Sequence, residues 1–156
     1  MTKKALTLTD LFHVAAKNAA RMFETSDDHE VLPMWHVVAG NGDNILVATP
    51  WSDDDEKDNA LDAMRVIFRK HHAKRFAFIT EAWIRQAASL EDASNGRVSE
   101  HEDRREVLMV SAEDRDGRAL MGWFYILRPE HGPPKLSEFH TQPFNGQVGR
   151  MHGLLT

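Results

Sequence analysis

Residues 118–128, RALMGWFYILR, send apolar side chains to both faces of an extended chain: Leu120, Phe124 and Ile126 to one, Met121, Trp123, Tyr125 and Leu127 to the other. A strand that is apolar on both faces has to be covered twice, so the chain needs a sheet with something packed on each side of it. The rest of the sequence supplies both the neighbouring strands and the covers.

Two helices are predicted as covers. Leu8, Leu11, Phe12, Ala15, Ala16, Ala19, Met22 and Phe23 recur at helical spacing over residues 8–24, with Thr7 and Asp10 as a capping pair. The second helix is predicted over 53–74, with Ser52 as its cap. Asp53, Asp54, Asp55 and Glu56 lie at the end where the helix dipole favours negative charge, and Arg65, Arg69, Lys70, Lys74 and Arg75 at the other. Its apolar stripe is Ala60, Leu61, Met64, Ile67 and Phe68, continued by His71.

Four further strands accompany 118–128. Residues 34–39 and 44–49 form a hairpin across Gly40-Asn41-Gly42-Asp43, because Asn-Gly supplies the positive φ of a tight turn. Residues 76–85 alternate, with Phe76, Phe78, Thr80, Ala82 and Ile84 on one face and Ala77, Ile79, Glu81, Trp83 and Arg85 on the other. Residues 106–113 join 118–128 through Asp114-Arg115-Asp116-Gly117. The expectation is an α+β domain over 1–128 in the order α-β-β-α-β-β-β: a five-stranded mixed or mainly antiparallel sheet with one helix on each face. At 156 residues, such a domain buries roughly 68–70% of the surface its unfolded chain exposes, enough for a core without metal or disulfide.

Two stretches resist assignment. Residues 86–104 carry Glu91, Asp92, Asn95-Gly96, Glu100, Glu102 and Asp103, too polar for a core and longer than most connections. Residues 129–156 hold four of the six prolines and four of the nine glycines, which predicts an irregular arm lying on a surface. Phe139 and Phe144 in that arm are apolar groups that need somewhere to dock, on the sheet or on a second subunit. In the latter case the arm makes a homodimer.

Composition removes much chemistry. With no cysteine there is no thiolate metal site, iron–sulfur cluster or cysteine nucleophile. No serine sits in a Gly-x-Ser-x-Gly elbow, and Gly146, Gly149 and Gly153 do not follow a strand and open a helix, so no cofactor is expected. The apolar run after Lys3-Lys4 is broken by Asp10, His13 and Lys17, and no stretch approaches the ~18 apolar residues of a membrane helix. A cytoplasmic protein without membrane attachment is expected. A net charge of −5 disfavours sequence-independent nucleic-acid binding.

Among the polar residues, Glu81 is the most informative, because it lies mid-strand between Ile79 and Trp83, where burial would raise its pKa and suit it to acid–base work. An enzyme reading joins Glu81 to His71 or His36 as the catalytic set of a small metal-dependent or acid–base hydrolase. Against it, His71 and His72 are adjacent and lack the i, i+4 spacing of helical metal ligands, so no metal is expected. His71 on an apolar stripe is also accounted for by packing or by the helix dipole, and Glu81 by a cross-strand pair with Arg105 or another cation. Trp35, Trp51, Trp83 and Trp123 are core-sized residues that also serve as interface anchors, and Trp83 is the best candidate because Glu81 and Arg85 share its face.

The segments Thr80-Glu81-Ala82-Trp83, Arg105-Glu106-Val107-Leu108 and Glu113-Asp114-Arg115-Asp116-Gly117 resemble a loose group of small bacterial and phage proteins of unassigned activity. In that group a Glu-Ala-Trp strand is followed by a hairpin led by Arg-x-Glu. The resemblance covers about residues 76–128. It implies a strand, loop and hairpin and a phage-related or mobile-element-related setting, with no activity to transfer. The leading expectation is a binding or accessory protein acting through a protein partner, with Trp83, Arg85, Arg105, Phe139 and Phe144 as contact residues.

Overall fold

The structure is a computed structural model and describes residues 5–84 and 104–143. Helix α1 spans Leu8–Thr25; Thr7 is its N-cap, its Oγ1 accepting the Asp10 N–H at 3.1 Å. Strands β1 (Met34–Val38) and β2 (Asn44–Ala48) form the first hairpin, turned by Gly42 at φ 89°. Helix α2 is Asp54–Lys70, and β3 (Arg75–Ile84), β4 (Arg105–Asp114), β5 (Ala119–Leu127) and β6 (Lys135–Pro143) complete the order. All neighbouring strands are antiparallel, in the spatial order β2-β1-β3-β4-β5-β6.

The α+β class, the two helices and the antiparallel sheet are as expected, but the sheet has six strands where five were predicted. The extra strand lies in the stretch read as an irregular arm. Pro133 and Pro134 precede β6 and Pro143 closes it, so the prolines that argued against structure mark its ends. Its interior also conceals the period-2 signal. Phe139 pairs with Phe124 and Leu136 with Ile126, two steps along β5 against three along β6. The resulting bulge is where Ser137 Oγ accepts the Tyr125 N–H at 2.9 Å in place of a backbone carbonyl.

Helix α2 also differs at both ends. Asp53, not Ser52, is the N-cap, accepting the Glu56 N–H at 2.7 Å, while the Ser52 N–H and hydroxyl donate to Glu56 Oε2. The helix stops at Lys70 instead of 74 because His72 takes φ 50° and Lys74 already donates to the Val38 carbonyl at 2.8 Å.

The helices lie on opposite faces, offset diagonally. Leu11, Phe12, Ala15, Ala19 and Phe23 of α1 pack on Ala77, Ile79, Leu108, Val110 and Ile126, with Phe124 and Phe139 at the margin. On the other face Leu61, Met64 and Phe68 of α2 close over Trp35, Val37, Phe76 and Phe78, with Ile45 and Val47 of β2 beside them. Helix α1 thus serves β3 to β6 and α2 serves β2, β1 and β3. Trp35 is fully buried, its ring 4.3 Å from Phe78 and its Nε1 donating to Thr49 Oγ1 at 2.8 Å.

Candidate functional site

On the α1 side of the sheet, beyond the C-terminal end of that helix, the ends of three strands meet. Glu81 and Trp83 project to the same face of β3, two residues apart, and Glu106 stands directly opposite Trp83 on β4. Arg128 follows β5, and with Ala82 and Ile126 these residues line a groove of about 250 Å³. Ile126 joins the groove to the α1 core, to which Leu108, the buried residue opposite Glu81, also belongs.

The charges in the groove are unevenly matched. Arg128 is held by Glu106, Nε at 2.9 Å and Nη2 at 2.8 Å from Oε2. Among the described residues Glu81 has no such partner, and its one hydrogen bond there comes from the Val31 N–H at 3.5 Å, a long contact. Burial pushes the Glu81 carboxyl above the ordinary carboxylate range; the Val31 N–H opposes this, the Glu30 and Glu106 charges add to it, and Arg128 opposes it. Trp83 is 40% exposed at the rim, unusual for so large an apolar ring, and the Arg104 guanidinium lies over it at 4.6 Å.

The expected hydrolase set does not assemble. His71 caps the far end of α2 in a separate groove with Gly40, Asn41, Asp43 and His72. His36 shares the α1 face with Glu81 but is placed opposite Ala77, four residues along β3, with its Nε2 2.8 Å from Asn44 Oδ1. Among the described residues no three potential ligands converge to hold a metal ion, and no helix is long and apolar enough to cross a membrane.

The contact residues expected from sequence separate. Arg105 stands opposite Ile84 and so points to the other face, where its guanidinium lies 3.8 Å over the Tyr125 ring. It therefore cannot be the cross-strand partner of Glu81. Tyr125 continues into Trp123 and His140, the last two stacked at 5.9 Å. Phe139 packs against Phe12 and Phe124 at the edge of the α1 core. Arg85, Phe144 and the segment 86–103 lie outside the described residues.

Glu106 and Arg128 are the groove residues that sequence reasoning missed. Their signal was the antiparallel hairpin itself: once β4 and β5 are paired, the start of β4 and the end of β5 must lie together, and their opposite charges meet there.

Comparisons of this chain with protein-family models, with curated proteins and with solved structures found no match.

Proposed function

We propose that this chain is a binding module without chemistry of its own, which receives a cationic side chain of a protein partner in the groove between Glu81 and Trp83. The observation that carries this reading is the state of Glu81, a half-buried carboxylate beside an arginine already engaged by Glu106. A lysine or arginine from a partner would supply the direct ion pair that no described residue gives Glu81, in a low-dielectric setting where a charge-assisted hydrogen bond is strongest. Its aliphatic stem would lie against Trp83 and Ile126, an aromatic and an aliphatic surface of the kind that anchors interfaces.

The alternative, a small acid–base or metal-dependent hydrolase, keeps the raised pKa of Glu81 in its favour but lacks His36 and His71 beside it. A phage-related or mobile-element-related role belongs to the proposal as its setting and rests only on the resemblance around Glu81-Ala82-Trp83.

The test is a panel of immobilised short peptides differing only in one central residue. Lysine and arginine peptides should retain the protein and glutamate or leucine peptides should not, with retention lost in Glu81→Gln and Trp83→Ala. Equal retention of all peptides, or retention unchanged in both variants, would reject the groove as the contact site.

A further inference from the structure

The two edges of the sheet are built differently. The β6 edge carries Lys135 and Glu138, a bulge in mid-strand and Pro143 at its end, the devices that keep an edge from pairing with another chain. The β2 edge has none of them. Its five residues, Asn44-Ile45-Leu46-Val47-Ala48, are uncharged, free of proline and regularly paired with β1 throughout. Leu46 at the centre is 61% exposed, the most exposed of the large apolar residues among those described, and Asn44 and Ala48 are exposed on either side of it.

The direction of the backbone groups follows from the hairpin. The Ala39 N–H donates to the Asp43 carbonyl and the Thr49 N–H to the Pro33 carbonyl, so by antiparallel alternation Ile45 and Val47 also bond toward β1. The N–H and C=O groups of Asn44, Leu46 and Ala48 therefore face outward, and no described strand lies beyond them. That set is symmetric about Leu46.

We infer that β2 is a homodimerisation edge, pairing antiparallel with β2 of a second copy about a two-fold axis through Leu46. In that register Leu46 faces its own copy, Asn44 faces Ala48 and Ile45 faces Val47. Each outward N–H meets an outward C=O, so six backbone hydrogen bonds close without a mismatch. The side chains match as well. The two Leu46 residues cover each other on one face, small Ala48 leaves room for Asn44 beside them, and Ile45 and Val47 join the two α2 cores into one across the axis. No charge opposes a like charge anywhere along the strand. An extended segment of an unrelated protein could add to the same edge, but the symmetry about Leu46 favours a second copy. The inference is independent of the Glu81 groove, which lies at the opposite end of β3.

Sedimentation of the full chain should give twice the 17.8 kDa monomer mass, falling to the monomer in Leu46→Lys, where two ammonium groups would face each other at the axis. Cysteine variants fix the register in a chain that has no cysteine of its own. Hydrogen-bonded antiparallel partners have Cα atoms about 5.5 Å apart, within reach of a disulfide. Leu46→Cys should therefore cross-link to dimer on mild oxidation while Ala48→Cys, four residues from its symmetry mate, should not. Should Leu46→Lys fail to fold, the cysteine pair still decides. A monomer at all concentrations, a dimer unaffected by Leu46→Lys, or cross-linking equal at both positions would overturn the inference.

Discussion

The ring of Phe139 on β6 lies across Gly122 of β5, so closely that a Cβ at position 122 would meet the ring edge and stand 2.8 Å from the His140 carbonyl oxygen. This contact fixes the sixth strand to the sheet and shields the backbone of a residue with no side chain to do so. Gly122→Ala should cost about 1–3 kcal/mol by overpacking, and Phe139→Ala about 3 kcal/mol, the low end for a phenylalanine because the ring is half-buried. The double variant should be more stable than the sum of the two losses, since the methyl then has the space of the missing ring. Denaturant melts of the four proteins check this, and strict additivity would mean that the two residues do not touch.

Cutting the chain after Arg128 should be far more damaging than either substitution. It uncovers Phe124 and Ile126 beneath α1 and frees the backbone groups of β5 that pair with β6. The expected outcome is aggregation or loss of a cooperative melt. A truncated chain that melts as the full one does would show that β6 adds nothing to the fold.

The aromatic core under α2 offers a second stability test. Trp35 is enclosed by Phe68, Phe76 and Phe78, and its indole N–H has one partner, Thr49. Trp35→Ala should cost about 3–5 kcal/mol, a large share of the roughly 5–15 kcal/mol that holds a domain folded. Thr49→Val, which keeps the shape and removes the acceptor, should cost about 1–3 kcal/mol. Equilibrium unfolding separates the two, and Thr49→Val equal to wild type would mean that water replaces the bond.

What the sequence made legible follows physical rules of unequal range. Alternation in 76–84 was read correctly face by face: Phe76 and Phe78 pack under α2, Ala77 and Ile79 under α1. Both helices and the Asn-Gly and Asp-Gly turns followed from local signals of the same kind. β6 was missed because a bulge spaces Leu136 and Phe139 three apart and prolines at its borders suggest an irregular arm. Within the groove, Glu81 and Trp83 share one strand and were readable together, whereas Glu106 and Arg128 reach them only through the register of β4 and β5. His36 and His71 were joined to Glu81 by residue type alone, and nothing in their local sequence could show that His36 is buried four residues along the sheet from it and that His71 lines a separate groove.

Glu81 makes stability depend on pH with a definite sign. Its carboxyl titrates higher in the folded chain than its ordinary value of 4.5, so the folded state holds the proton more tightly. The contribution to stability is full below 4.5 and is lost as the pH rises through the folded value. Glu81→Gln should therefore raise the melting temperature at neutral pH, and the gain should vanish below about pH 4.5. A variant that melts lower than wild type at pH 7 would mean that the carboxylate is stabilised in the fold, not strained by it.

The most direct test of the groove is an amide-resolved NMR titration of the protein with a short lysine-containing peptide. The account predicts shifts concentrated at the Trp83 indole and the Val31 amide, absent with a glutamate peptide of equal length and abolished in Glu81→Gln. Shifts centred on Tyr125, Trp123 and His140, or shifts at Trp83 that survive Glu81→Gln, would contradict it.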